Sequence, residues 1–250
     1  MADKKESAND EKMLFSVNAR WIALLHTVLG GYGLVVAFVI GVALHFKDLV
    51  ENELFKYPQE WFPELTLVIG KFFPERAFFQ IICAIAAGVR LSLVVIWFML
   101  TKSATSRVPM MVCIAGLLRT AALGGLVYVP VVDDHDTHDL FLTIYLMFTM
   151  AWFFGIIHLS DRKSQSRVYR KRVLRWYFVL LIPLVHYFTQ HRFYQVPGAL
   201  SKYSFFEYVF VALDLLFDLV GVVEFEGVEV RVYKGGPDDG LARPAKKFFV

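Results

Sequence analysis

The 250-residue chain is 57% hydrophobic, with a mean hydropathy of +0.51, 24 phenylalanines and only 20% charged residues, an apolar share above that of ordinary soluble domains. Its net charge of +3 does not point to nucleic acid, because the basic residues cluster beside apolar runs, where they would meet anionic lipid headgroups. The two cysteines, Cys83 and Cys113, fall at separate places within predicted helices and there is no Asn-x-Ser/Thr sequon, so neither a disulfide framework nor a glycan site reports a compartment.

Crossing ~30 Å of hydrocarbon takes about 20 apolar residues in a helix, and six runs meet that need: 21–46, 77–100, 109–132, 139–159, 173–190 and 205–225. The expected fold is all-α, a polytopic membrane protein of six transmembrane helices. Residues 1–20 are its N-terminal tail, 21–226 the six-helix domain and 227–250 a C-terminal tail, containing "KGGPDDG", that is expected to be mobile. The first run is too long for a signal-peptide core and no small-residue cleavage pattern follows it, so it reads as a retained helix in a chain that starts at Met1. Between the first two helices, the loop 47–76 contains "YPQEWFPELTLVIGKFFPER", too apolar for a free linker. Its aromatic and proline content predicts a short element lying on the membrane interface and roofing the bundle.

Lys and Arg near the helix ends set the expected orientation. Residues 1–20, 101–108, 160–172 and the tail after 226 carry seventeen of them, whereas 47–76, 131–138 and 189–204 carry six. Both termini are therefore expected in the cytosol, and "VVDDHDTHDL" (131–140), with four carboxylates and two imidazoles, faces the lumen. The terminal "KKFFV" does not have dilysine retrieval spacing and resembles a forward-transport signal.

Arg90, Arg119 and Asp214 fall near the middle of their helices, where a lone charge costs about 2.5–3.5 kcal/mol on insertion scales. Glu207, Asp214 and Asp218 are spaced by seven and then four residues, which puts all three on one helix face that should point inward. Two accounts stand for this set. Asp214 and Asp218 neutralise Arg90 and Arg119 and hold helices two, three and six in register, or Arg90 and Asp214 bind substrate.

The lumenal rim gathers the remaining candidates. His135, His138 and Asp139 open the fourth helix, His186 ends the fifth, His191 follows it and Glu207 sits a turn into the sixth. An imidazole oriented by a carboxylate can take a proton from a hydroxyl near neutral pH, so such a dyad could activate a lipid alcohol at headgroup level. The bland readings are a solvated turn for Asp133, Asp134 and Asp136, a helix cap for His138 and Asp139, and interface positions for His26 and His158. A zinc site would draw three ligands from His135, His138, His186 and His191, no two of which are at i, i+4 spacing.

The order "HFKD" (45–48), "WFPELTLVIG" (61–70), "FPER" (73–76), Arg90, "DDHDTHD" (133–139), "HYFTQHRFYQVPG" (186–198), "FFEY" (205–208) and "VEF" (223–225) resembles the post-GPI-attachment-to-proteins factor 2 family. That family belongs with DRAM- and FRAG-like six-helix proteins and is similar to the N-terminal part of the fungal proteins that install ceramide on GPI anchors; the likeness runs from about residue 15 to 226. The resemblance implies a protein of the Golgi or endoplasmic reticulum membrane that remodels the lipid of GPI-anchored proteins, restoring a fatty chain to a lyso-GPI. It maps the family's His–acid pair to His138 and Asp139, its later His to His191, with Tyr194 and Gly198 following, its last-helix acid to Glu207 and its helix-two arginine to Arg90. Three positions depart: Arg119 stands where an acid is expected, Asp218 and Trp152 where histidines are, which favours a structural part for the 119–218 pair.

These readings combine into a catalytic set of His138, Asp139, His191 and Glu207, with Arg90, Tyr194, His186 and Asp214 toward substrate and no metal. His138 or His191, backed by Asp139 or Glu207, would deprotonate the free hydroxyl of lyso-GPI for attack on an acyl donor. No cofactor is called for and the donor is not specified by the sequence. The expected partners are GPI-anchored proteins or their lipid and bulk membrane lipids, with a partner transferase if the chain is instead a non-enzymatic scaffold that presents lipid or regulates lipid asymmetry. A metal-dependent hydrolase of the ceramidase type would need three clustered histidines and a serine that the sequence does not assemble.

Overall fold

A computed structural model describes residues 13–233, and the terminal "KKFFV" lies outside them. In chain order the elements are β1 (Met13–Asn18), α1 (Arg20–Val50), α2 (Leu65–Gly70), α3 (Glu75–Thr101), α4 (Val108–Tyr128), α5 (His135–Leu159), α6 (Gln165–Arg192), α7 (Ala199–Leu219), α8 (Gly221–Glu224) and β2 (Glu229–Tyr233). Six of these helices answer the six apolar runs. Four of them, α1, α3, α4 and α5, are long and apolar enough to cross a membrane, with mean hydropathies of 1.9 to 2.3. The chain is therefore a multi-helix membrane protein. The other two long helices are diluted by charge: α6 begins inside the basic stretch "QSRVYRKRVLR", and α7 carries Lys202, Glu207, Asp214 and Asp218.

The helix ends follow local chemistry that periodicity does not show. Asp134 caps α5, accepting from the Thr137 N–H at 3.1 Å and the Thr137 hydroxyl at 2.8 Å, so the cap lies four residues before the expected His138 start. Ser164 caps α6 by accepting from Ser166 N–H at 3.2 Å. The last long helix starts at Ala199, six residues before the expected 205, and ends at Leu219 rather than 225. Its N-cap, Gly198, has φ of +74°, a left-handed conformation that a Cβ would oppose.

The core has two parts. Near the ribbon end, Trp97, Trp152, Phe153, Ile156, Tyr177, Phe210, Phe217 and Phe225 interlock; Phe153 and Phe217 stack with centroids 3.8 Å apart. At the opposite, distal end, Ala37, Leu49, Phe79 and Val127 pack around Val68 of α2. The α4–α5 pair approaches so closely that a Cβ on Gly125 would meet the Phe141 ring at 2.3 Å and one on Gly155 would meet Val112 at 2.4 Å, the close small-residue packing that substitutes for hydrophobic drive between membrane helices. Apolar side chains also face outward, among them Tyr32, Val35, Ile81 and Ile182.

A short element is present in the 47–76 loop as α2, and a buried acid anchors the loop before it. Glu60, fully buried, accepts from the Gly198 N–H at 3.1 Å, the Ser201 N–H at 2.8 Å and the Ser201 hydroxyl at 2.6 Å. The Ser201 oxygen in turn accepts from the Trp61 N–H at 2.8 Å and the Phe62 N–H at 3.1 Å. One carboxylate thus caps α7 and fixes the roof to it.

The expectation of a mobile tail from 227 is corrected for its first part. Residues 229–233 pair antiparallel with 13–18 in a two-stranded ribbon, and Ala19 N–H donates to Val228 O at 2.8 Å. Backbone pairing between segments more than 200 residues apart is invisible to local propensity. The "KGGPDDG" stretch lies outside the described residues.

Candidate functional site

Two polar assemblies occupy the bundle, one deep and one at the distal rim. In the deep one, Arg119 of α4 projects between α5 and α7. Its Nε donates to the Thr149 hydroxyl at 3.1 Å, its Nη1 to Asp218 at 3.1 Å and its Nη2 to Asp214. Arg90 of α3 donates to the Tyr145 hydroxyl at 3.3 Å and lies 3.8 Å from Asp214, and Tyr145 O–H donates to Asp214 at 2.6 Å. Trp152 Nε1–H donates to Asp218 at 3.1 Å, and His26 Nε2 lies 3.4 Å from the same carboxylate. Both arginines and both aspartates are at most 9% exposed. Two cations and two anions close on each other, so the neutralising account describes the geometry, and Arg90 and Asp214 are placed inside that network. His26, expected at the interface, is buried within it, and Trp152 fills the departing position as a donor.

Below this network, Arg119 lies 5.5 Å from the Phe153 ring centre, while Arg170 of α6, fully buried, lies 5.4 Å from Phe217. The stacked pair Phe153–Phe217 separates two guanidinium groups, each lying over an aromatic face. Arg170 itself is matched by Glu224 of α8 and lies 3.4 Å from the Ser160 hydroxyl.

The rim assembly forms where α5, α6 and α7 meet α2. Its centre is Glu64, the N-cap residue of α2, which sequence reasoning passed over. The Glu64 carboxylate accepts from the Thr66 hydroxyl at 2.8 Å and lies within electrostatic reach of the His191, His138 and His135 rings and of Glu207. Tyr203 and Tyr208 border the same two carboxyls. Three buried polar atoms here have no partner: Nδ1 of His191, Oε2 of Glu207 and the Tyr208 hydroxyl. Burial of unsatisfied polar groups is costly, so their convergence marks a place for a polar ligand. His138 is buried, and its Nδ1 lies 2.8 Å from Val129 O. A carbonyl only accepts, so Nδ1 carries the hydrogen and Nε2 presents a lone pair.

Of the predicted set, His138, His191 and Glu207 each lie within electrostatic reach of Glu64. The structure does not pair His138 with Asp139. Adjacent helix residues point about 100° apart and cannot face each other; Asp139 is exposed and meets His135 at 3.3 Å instead. His186 and Tyr194 are exposed and stand outside the cluster. Among the described residues no three His, Cys, Asp or Glu side chains converge as a metal-holding set.

Burial pushes the Glu64 carboxyl above its ordinary range, opposed by the Thr66 hydroxyl and by the His191, His138 and His135 rings. A carboxyl whose folded pKa is raised favours the fold below the unfolded pKa of about 4.3 and loses that contribution as pH rises through the folded value. Glu64→Gln is therefore expected to raise the melting temperature in detergent, by a margin that grows from pH 5 to pH 8 (~3 pH units). A variant less stable than the parent at pH 8 would contradict this.

An apolar groove of about 260 Å³ adjoins the cluster, lined by Leu34, Val35, Phe38, Phe62, Phe205 and Tyr208. Tyr208 belongs to both, so the groove between α1 and α7 abuts the polar cluster.

The Frag1/DRAM/Sfk1/Cwh43P N-terminal domain family matches residues 18–228, nearly the whole described chain. The chain belongs to this family. It is 36% identical over 202 residues to protein cwh43 of Schizosaccharomyces pombe, covering 80% of this chain but 21% of that protein. It is 20% identical over 227 residues to a post-GPI attachment to proteins factor 2-like protein of Drosophila melanogaster, covering 82% of this chain and 69% of the relative. The chain thus spans about a fifth of the length of the first relative. No solved structure matches it. The match covers α1 through α8, so both the deep network and the rim cluster lie within the family's domain.

Proposed function

We propose that this Frag1-family chain remodels the lipid of GPI anchors, returning an acyl chain to a lyso-GPI at a lumenal site. The relative named for post-GPI attachment supports the pathway. In this reading all six long helices span the membrane. The seventeen-to-six bias of Lys and Arg supports a cytosolic ribbon end and a rim cluster that faces the lumen.

The observation that carries the reading is the convergence of unpartnered Glu207, His191 and Tyr208 atoms on Glu64, beside an apolar groove. A lyso-lipid is a polar headgroup with a free hydroxyl joined to a fatty chain. The headgroup satisfies the orphaned donors and acceptors, and the chain follows the groove toward the bilayer. An imidazole at this distal end of the bundle then accepts the hydroxyl proton as the oxygen attacks an acyl carbonyl.

The test is complementation of cells lacking the protein with His138→Ala or Glu207→Gln at matched levels, followed by mass spectrometry of anchor lipids. Loss of the two-chain anchor form in both is expected; normal anchors in both would end the proposal. Purified protein given lyso-GPI and acyl donor separates an enzyme, which forms product, from a scaffold, which does not.

A further inference from the structure

Among the described residues three histidines stand within salt-bridge distance of an acid, and they differ in kind. His135 and Asp139 are both more than half exposed at 3.3 Å. His26 lies 3.4 Å from Asp218, but that carboxylate is already engaged by Arg119 and Trp152, and neither His26 ring nitrogen is hydrogen-bonded. The third pair is His45 with Glu75. His45 Nδ1 lies 2.8 Å from Glu75 Oε1, the carboxylate is fully buried, and its other oxygen has no partner.

The pair sits at the distal end of the bundle. α1 leaves helical geometry at His45 (φ −130°, ψ 19°), which turns the ring away from the helix axis, and Phe72 stacks on it with centroids 4.5 Å apart. Glu75 is in the first turn of α3, at the positive end of the helix dipole. A carboxylate only accepts, so Nδ1 carries the hydrogen; the Nε2 lone pair is unbonded and is not among the buried unpartnered atoms, so it opens to the surface. Leu44, next to His45 in the chain, Tyr57, which packs edge-on against Phe46, and Phe73, next to the stacking Phe72, are exposed, apolar neighbours for fatty chains. α2, about 9 Å long at 1.5 Å per residue, separates this pair from Glu64: its two ends hold the two imidazole–carboxylate groups.

We propose that His45 is the base of the acyl transfer, with Glu75 as its positioning residue, while the Glu64 cluster holds the headgroup; this rests on the function proposed above. His45 Nε2 accepts the lipid hydroxyl proton as that oxygen bonds to the acyl carbonyl carbon of a donor ester or thioester. The donor's C–O or C–S bond breaks, and the departing oxygen or sulfur takes the proton back from the imidazolium. No electrons change hands. The buried Glu75 stabilises the imidazolium between the two steps, which a backbone carbonyl partner, as at His138, does more weakly.

The test is the rate at which lyso-GPI converts to the two-chain form, followed by pulse-chase and mass spectrometry in cells lacking the protein and complemented at matched levels. His45→Asn keeps a donor toward Glu75 but cannot accept the proton, and is expected to slow conversion about 100-fold, the low end of a general base's contribution. Glu75→Gln keeps an acceptor for the ring but loses the charge; it is expected to slow conversion at unchanged protein level, with Glu75→Asp recovering part of the rate. Conversion within twofold of the parent in His45→Asn, with loss in Glu207→Gln, overturns the dyad and leaves the function standing. Normal anchor lipids in cells lacking the protein overturn both.

Discussion

Arg119→Met is expected to destabilise the bundle by about 3–5 kcal/mol, because it leaves Asp214 and Asp218 buried without the cation they share. Asp218→Asn alone should cost less, since Asp214 still faces Arg119 and the amide oxygen can still accept from Trp152. The double variant Arg119→Met/Asp218→Asn removes one charge of each sign and leaves Arg90 opposite Asp214 at 3.8 Å. It should recover more than half of the loss. Thermal unfolding in detergent reads all three, and a double variant at least as unstable as Arg119→Met would show that charge balance is not what holds α3, α4 and α7 together.

Glu60→Ala is the second large effect. It strips an acceptor from the Gly198 and Ser201 N–H groups and from the Ser201 hydroxyl, each worth about 1–3 kcal/mol when left unsatisfied in the interior. A local loss near 3 kcal/mol corresponds to roughly 100-fold faster amide exchange. That rise is expected at Trp61, Phe62 and Ser201, with amides of α4 and α5 unchanged. Because Glu64 follows four residues later, anchor-lipid conversion should fall as well. Unaltered exchange at Trp61 and Phe62 would mean that the roof is held by its aromatic contacts, such as Phe62 with Phe38 and Tyr208.

The sequence reading was strongest where membrane physics leaves few options. Apolar runs gave the long helices because hydrocarbon admits little else, and charges at one depth gave the Arg119–Asp214–Asp218 grouping because isolated charges there are costly. It was weakest where an acid's meaning depends on a distant partner. Glu60, Glu64 and Glu75 are embedded in "PQEWFPEL" and "FPER" among aromatics and prolines, a setting that itself signals a carboxylate held by the fold, and each turned out to anchor or face residues from 30 to 141 positions away. Asp139 was overvalued for the opposite reason: it is next to His138 in sequence, and a helix turns neighbours apart. The ribbon could not be read at all, since the partner of Met13–Asn18 lies more than 200 residues away along the chain.

The rings of Phe153 and Phe217, face to face and fully buried between Arg119 and Arg170, have a bearing on the membrane as a whole. Protons hop along water and ionisable groups, and hydrocarbon interrupts that relay. The membrane around this protein can therefore hold a proton gradient although charged groups lie inside the bundle: the aromatic pair acts as an insulator set into the wire.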